Sequence, residues 1–359
     1  MKSNPRTRAS TLSRRCFAQR TGLGLAAGLM AGCTTPRKQL HVFIYRDYID
    51  PEAVASFEGE HNCQVTFDYY EEPGSMVSKL VAGGASAYDI IVPGHFTLPR
   101  LIQLKLVAPL RRENLPNFKH IDPQFIDPAF DRGNKHSVPY LWGTTGIYAR
   151  SKPNQSTDES WGLAFEPRMQ PGPFLLLEDD RLCIGAALHF LGLRINSTEP
   201  AELIRARDIL ADAKKRSLGF ATSFAAKGRV LTKDASMAIV YNTDGMQGQR
   251  QDPGTRFFVP KEGGGLWLDT LSIPAQAPHR DLAEAFINHL TDPRVAAGIA
   301  DVTRTATANR SALDFVNPAD RNDPGIYPTP DIMKRLEYCH DLGAKNRLFE
   351  EIWTQVKSG

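Results

Sequence analysis

Residues 261–274 read KEGGGLWLDTLSIP, and this stretch indicates both the fold and the site. Its three consecutive glycines (263–265) can adopt backbone angles closed to other residues, so they predict a flexible entry into a strand at 266–273. Because side chains alternate along a strand, Trp267 and Asp269 are expected on one face. A ring beside a carboxylate suits an organic cation. A core Trp and a strand-end Asp are the simpler alternative, which stays open.

Apolar runs of strand length recur along the chain, separated by segments with helical patterns. Residues 40–45 (LHVFIY), 88–92 (YDIIV), 174–177 (FLLL) and 237–241 (MAIVY) have the character of buried parallel strands. Near the C-terminus, residues 331–337 predict a helix. The alternation indicates an α/β fold with mostly parallel sheets, in which ligands bind beyond the carboxyl ends of the strands.

Acidic and aromatic residues gather at the predicted strand ends and crossings. These residues are Tyr45, Asp47, Tyr48, Phe96, Trp142, Asp180, Tyr241, Trp267 and Asp269. The acidic turn at 178–180 also suits a helix N-terminus, where carboxylates are stabilised, so simple capping is an alternative. At 359 residues the chain is too long for one ordinary core, which predicts two lobes that close on a ligand.

The N-terminal 33 residues predict an export signal. Arginines precede an apolar run at 22–30 that is too short to span a bilayer as a helix. Small residues before Cys33 resemble a lipoprotein cleavage box, which makes Cys33 the predicted lipidation site and residues 34–39 a tether. The sequence SRRCF at 13–17 resembles a twin-arginine motif, with a general basic export segment as the alternative.

Charge and cysteine usage exclude several classes of protein. The formal charge is +3, but six of the 43 Lys and Arg residues lie in residues 1–32, where there is no acidic residue, so the basic balance does not indicate nucleic acid binding. Three cysteines remain after Cys33, and an odd number allows at most one disulfide. No cluster of Cys or His has metal-ligand spacing, and no cofactor is predicted.

The chain resembles the periplasmic polyamine-binding proteins of ABC importers, of the spermidine/putrescine type. The resemblance runs from residue 40 to the C-terminus through YRDYIDPEAVASFE, AYDIIVP, SVPYLWGTTGIY, LLLEDD, AIVYN, PKEGGGLWLDTLSIP and DLGA. It implies a two-lobe type II periplasmic-binding-protein fold, in which each lobe is a mostly parallel sheet flanked by helices and the ligand cleft lies between them. The implied lobes are residues 40–148 plus 268–315 and residues 149–267 plus 316–359.

The same resemblance implies a set of ligand-binding residues. They are Tyr45, Asp47, Tyr48, Phe96, Asp180, Cys183, Thr222, Tyr241, Trp267, Asp269 and Cys339. The aromatic members correspond to positions that pack on a ligand stem, and the three aspartates to positions that meet amines. Cys183 and Cys339 stand where spermidine-type proteins have a carboxylate and a Gln. The loss of an acid predicts a shorter or differently spaced cation, putrescine among the candidates, and a site that no longer binds polyamines is the alternative.

The predicted function is that of a periplasmic solute-binding receptor, anchored at the inner membrane if Cys33 is lipidated. It would bind a polyamine and deliver it to an ABC permease, as a monomer and without catalysis. Three alternatives stay open: a receptor of the same fold for another small solute, such as an amino acid or a metal complex; a binding protein that feeds a sensor; and an exported thiol enzyme using Cys183 with His189. Six residues apart on a helix, that pair does not share one face.

Overall fold

The computed structural model describes residues 37–71, 73–151 and 158–359. The predicted export signal, its Cys33 and the first part of the tether lie outside the described residues. Residues Lys38–Gly359 form one compact unit. In the ranges described, no helix has both the length and the apolar character needed to cross a membrane.

The strands of the described chain join into one sheet of eleven. They are β1 (Lys38–Tyr45), β2 (Cys63–Tyr70), β3 (Ile90–Ile91), β4 (Ser137–Arg150), β5 (Phe174–Leu177), β6 (Phe220–Ala221), β7 (Met237–Tyr241), β8 (Thr255–Phe258), β9 (Gly264–Ser272), β10 (Ala306–Thr307) and β11 (Leu336–Tyr338). The order along the sheet is β2-β1-β3-β9-β4-β7-β5-β6, while β8 and β10 pair with β4 and β11 pairs with β9.

Helices connect these strands and cover the sheet. Within the described ranges they are α1 (Pro51–His61), α2 (Pro73–Val81), α3 (Leu98–Gln103), α4 (Gly162–Phe165), α5 (Asp180–Phe190), α6 (Pro200–Arg216), α7 (Ser223–Leu231), α8 (Asn242–Gln251), α9 (Arg280–Leu290), α10 (Pro293–Thr303), α11 (Pro318–Arg321), α12 (Pro330–Met333) and α13 (Asn346–Ser358). The predicted α/β alternation is confirmed.

Two parallel groups of strands flank an antiparallel centre. In the first group β1 lies between β2 and β3, and in the second β5 lies between β6 and β7, with parallel pairing throughout each group. The central strands β9 and β4 pair antiparallel with each other and with the adjoining group, β9 with β3 and β4 with β7. The strands of each parallel group therefore end at a common edge, where loops can form a site.

Apolar side chains of these strands and helices form two large cores. The first contains Leu40, Phe57 and Phe286 around β1 and the central strands, and the second contains Phe174 and Phe349 around β5. The second core also receives α13, which packs on α6 and α5. Burial of each such side chain contributes about 1.5–3 kcal/mol, so these contacts hold the strand ends in place.

The glycine run at 263–265 is expected to adopt unusual backbone angles, and the structure shows these at one position. Only Gly263 has a positive φ, of 101°. Gly265 lies within β9, where a Cβ would approach Leu182 Cδ2 to 2.2 Å, so glycine is needed there for close packing. The predicted helix at 331–337 is wrong in its second half. Residues 336–338 form β11 instead, which joins the sheet by pairing in parallel with Gly264–Leu266.

Candidate ligand-binding site

A cavity of about 510 Å³ lies at the strand ends of both parallel groups. Its wall includes the last residues of β1 and β7, the turns that follow β3 and β5, and Thr222 after β6. Strand β9 contributes Trp267 and Asp269, whose side chains share a face as their spacing predicts. The volume lies within the range of about 300–1,000 Å³ that is usual for small-molecule sites.

The wall of the cavity carries far more negative than positive groups. Seven acidic residues line it: Asp47, Glu71, Glu178, Asp179, Asp180, Asp244 and Asp269. Two arginines, Arg46 and Arg181, are the basic residues among the lining residues. Part of the acidic charge is compensated, because Asp244 pairs with Lys227 at 2.9 Å and Glu178 pairs with Lys357 at 2.5 Å. The remainder makes the cavity attractive to a cation.

Asp269 is the most deeply buried carboxyl group of this wall, with 8% of its surface exposed. Its Oδ2 accepts a hydrogen bond of 2.7 Å from the hydroxyl of Tyr48. Burial raises the pKa of Asp269 to about 7, and the Tyr48 hydrogen bond opposes that rise. A bound ammonium group would stabilise the ionised form and relieve this cost.

A second acidic group stands at the start of α5. Asp179 caps that helix, since its Oδ1 accepts from the backbone N–H of Leu182 at 2.8 Å. Its Oδ2 accepts from the hydroxyl of Tyr241 at 2.9 Å, so the same side chain also faces the cavity. Burial raises the pKa of Asp179 and of Asp180, and for Asp180 the charge of Asp179 adds to the rise. Asp179 therefore both caps α5 and belongs to the wall of the cavity.

Eight aromatic side chains complete the wall. They are Tyr45, Tyr48, Tyr70, Phe96, Phe224, Tyr241, Trp267 and Trp353. The rings of Tyr241 and Trp267 stand perpendicular, with centroids 6.2 Å apart, and Trp267 is fixed by a 3.2 Å hydrogen bond from Nε1 to the carbonyl of Thr144. Rings in this arrangement offer both apolar faces for a methylene stem and π faces for a cation.

Ten of the eleven predicted site residues line the cavity. Asp47 does so from an exposed turn with φ of 55°, a conformation that Asp tolerates better than most residues. Within the described part of the chain no hydrogen bond to its carboxylate is present. Thr222 Oγ1 accepts from the N–H of Ala225 at 3.3 Å and caps α7 at the cavity wall.

The exception is Cys183, which does not line the cavity. Its side chain is fully buried among the apolar residues of the second core, one helical turn from the acidic cap of α5. Burial raises the pKa of this thiol, so it is neutral and inert at physiological pH. Cys339, by contrast, lies at the cavity, and both cysteines are free. Trp142, which the sequence also suggested, is buried against Thr307 and is absent from the wall.

Sequence analysis missed several residues of the wall. Tyr70 packs on Tyr45 with ring centroids 4.3 Å apart, and it ends β2, a position that could have indicated its place. His95 joins the loop after β3 to other segments, because its Nε2 donates to the carbonyl of Cys339 at 3.0 Å while its Nδ1 accepts from Leu268. Burial lowers the pKa of His95 to about 4, so it is neutral.

Comparison with known proteins identifies the family. A family model described as bacterial extracellular solute-binding protein matches residues 52–328. This chain belongs to that family. The putrescine-binding periplasmic protein SpuD of Pseudomonas aeruginosa (strain UCBPP-PA14) is similar to this chain, with 32% identity over 353 residues that cover 93% of this chain and 96% of SpuD. The putrescine-binding periplasmic protein PotF of Escherichia coli (strain K12) is 30% identical over 361 residues, covering 94% and 97%.

Solved structures of solute-binding proteins share the fold. The spermidine/putrescine ABC transporter substrate-binding protein PotD from Streptococcus pneumoniae superposes with a TM-score of 0.80 at 27% identity, covering 89% of this chain and 99% of that chain. The fold predicted from the sequence, the two-lobe type II periplasmic-binding-protein fold, is confirmed by this likeness and by the sheet topology.

Proposed function

We propose that this solute-binding protein is the periplasmic receptor of an ABC importer and that its ligand is a polyamine of putrescine-like length. The observation that carries the proposal is the cavity, whose seven acidic and eight aromatic residues offer carboxylates for amines and rings for a methylene stem. Relatives named for putrescine and for spermidine/putrescine support this class of ligand.

Capture of the ligand begins with an exchange of water for carboxylates. One amine meets Asp269, which the hydroxyl of Tyr48 orients from 2.7 Å. Another meets Asp179 or Asp180 on the opposite group of strands, where burial has raised both pKa values and made a counter-cation favourable. The stem between the amines lies against Tyr241 and Trp267, which removes apolar surface from water.

Closure and delivery complete the proposed cycle. In this proposal the two lobes are residues 40–148 plus 268–315 and residues 149–267 plus 316–359, and a ligand held by both shifts the population toward the closed form. The closed receptor then docks on an inner-membrane permease. A monomeric state and a lipid anchor at Cys33 belong to the same proposal.

The alternatives receive less support from the site. A thiol enzyme requires an accessible nucleophile, whereas Cys183 is fully buried and burial raises the pKa of its thiol. A receptor for a purely anionic solute is disfavoured by the excess of carboxylates. Whether the receptor serves an importer or a sensor is tested by uptake of radiolabelled ligand, which should fall when the receptor is deleted from cells if it serves an importer and should be unchanged if it serves a sensor.

The proposal is tested by calorimetric titration of the mature, reduced protein with putrescine, cadaverine, spermidine and spermine. We expect saturable heat with at least one diamine at one site per chain. Glutamate serves as the matched anionic control and should give none. Absence of heat with all four amines would remove the polyamine proposal, while the membership of the family would stand.

A further inference from the structure

The cavity wall holds a buried arginine that no carboxylate neutralises directly. Arg181, the first residue after Asp180 at the start of α5, is 4% exposed. Its guanidinium carbon lies 5.3 Å from the ring centroid of Phe96 and 4.2 Å from that of Phe349. Phe96 itself lines the cavity, so the charge stands at the wall. Among the described residues, the guanidinium forms no ion pair within 4.0 Å.

Neutral oxygen atoms hold this guanidinium in place. Nη1 donates to the carbonyl of His340 at 3.0 Å and to Asn346 Oδ1 at 3.1 Å. Nη2 donates to Asn196 Oδ1 at 2.9 Å. Three hydrogen bonds and two aromatic faces fix the cation without cancelling its charge, since carbonyl and amide oxygens carry no net charge.

The second arginine of the wall behaves differently. Arg46 is exposed, and its guanidinium lies over the ring of Tyr69, itself 45% exposed, with 4.7 Å to the centroid. Water screens such a surface charge strongly, whereas the charge of Arg181 acts through a low-dielectric wall. Arg181 is therefore the resident cation that a ligand in the cavity meets.

We propose that Arg181 is a specificity-determining residue whose fixed charge takes the place of a ligand's third ammonium group, so that the receptor selects cations with two charged ends over triamines. The inference rests on the proposed function and narrows it. Although no carboxylate lies within 4.0 Å of its guanidinium in the described chain, the charge of Arg181 already acts on this acidic turn, because it opposes the rise in the pKa of both Asp179 and Asp180. A diamine adds one more cation there, whereas a triamine adds a further one and meets like-charge repulsion.

Size alone does not explain such a preference. A volume of about 510 Å³ is well above the lower end of the usual range for ligand sites, about 300 Å³, so a longer stem has room. Charge and length can be separated with N-propylputrescine, which is spermidine without its terminal amine and is only one atom shorter. The wild-type receptor is expected to bind N-propylputrescine at least about tenfold more tightly than spermidine.

The matched variants are Arg181→Gln, Arg181→Lys and Arg194→Gln. The first removes the buried charge and the second keeps it. The third removes a positive charge from an exposed side chain that pairs with Glu337 at 2.8 Å. We expect the ratio of the spermidine Kd to the putrescine Kd to fall at least about tenfold in Arg181→Gln and to stay within about threefold of wild type in the other two.

Each outcome of these titrations decides one question. If wild type binds no amine, the proposed function fails. If wild type binds diamines but rejects N-propylputrescine as strongly as spermidine, or if Arg181→Gln folds and leaves the ratio unchanged, the inference about Arg181 fails while the function stands. Tighter binding of ornithine than of putrescine, lost in Arg181→Gln, would also overturn it, because Arg181 would then anchor a carboxylate. If Arg181→Gln does not fold, the comparison of the two ligands on wild type decides.

Discussion

Asp269→Asn removes the buried carboxylate on which the proposed site depends most. The substitution keeps the shape of the side chain, and the Asn oxygen can still accept from the hydroxyl of Tyr48, which lies 2.7 Å from Oδ2. What is lost is one charge-assisted contact with an ammonium group, worth about 1.5–3 kcal/mol. We therefore expect the Kd for putrescine to rise about 10- to 150-fold.

The same carboxylate makes binding depend on pH in a defined direction. Burial raises the pKa of Asp269 to about 7 in the free receptor. A diamine binds the ionised form, so binding below that pKa must first release a proton. The Kd of wild type should rise by up to about tenfold for each pH unit below about 7 and should level off above it. Asp269→Asn should lack the inflection near 7.

Calorimetry measures both effects. Putrescine is titrated between about pH 5.5 and about pH 8.5 in pairs of buffers with different ionisation enthalpies, which gives the number of protons released on binding. Asp208→Asn is the matched control, since it removes one carboxylate from α6, where that side chain is 62% exposed and pairs with Arg207. The control should reproduce the wild-type affinity and profile.

Two results would refute the reasoning. One is an Asp269→Asn affinity within about threefold of wild type at pH 8, where the carboxylate is ionised and its loss should be felt fully. The other is a wild-type profile with no proton release at pH 6. The first would remove Asp269 from the amine contacts, and the second would show that its carboxylate is ionised before the ligand arrives.

Three further predictions follow from the same wall. Without ligand, Asp269→Asn should be more stable than wild type at pH 7.5, by as much as about 4 kcal/mol in urea unfolding. The reason is that the pKa of Asp269 is raised in the folded state, so the stability of wild type falls as pH rises from about 4 to about 7. Equal stability of the two proteins would contradict this. Tyr48→Phe removes a hydrogen bond that lowers the pKa of Asp269, so the inflection of the Kd profile should move upward, and a downward shift would oppose the assignment. Trp267→Leu should weaken putrescine binding by about 0.5–2 kcal/mol, as expected for a lost cation–π contact, with Trp353→Leu as the aromatic comparison.

Much of the architecture follows from local patterns in the sequence. The apolar runs at 174–177 and 237–241 match β5 and β7 residue for residue, since a strand buried on both faces must be continuously apolar. Asp50 and Pro51 start α1 through a side-chain cap of 2.9 Å and a proline at the first helical position. Such signals act within a few residues, so they can be recognised without the fold.

Other features depend on residues that are distant in the sequence. The pattern at 331–337 indicates a helix, yet the open edge of β9 draws residues 336–338 into the sheet as β11. The family resemblance predicts that Cys183 is a site residue, yet its place on α5 directs the side chain into the second core. The guanidinium of Arg181 donates hydrogen bonds to oxygen atoms of Asn196, His340 and Asn346. These partners are distant in the sequence, so no local pattern predicts them.

The sequence by itself therefore determined the strand and helix pattern, the common face of Trp267 and Asp269 and the kind of ligand that acids and aromatics would attract, because these follow from alternation, propensity and side-chain chemistry. Only the tertiary structure decided which acids are buried, that Asp179 both caps a helix and faces the cavity, and that an arginine stands in the wall. The reason is physical, since burial, pKa and charge compensation arise from groups that folding brings together from separate parts of the chain.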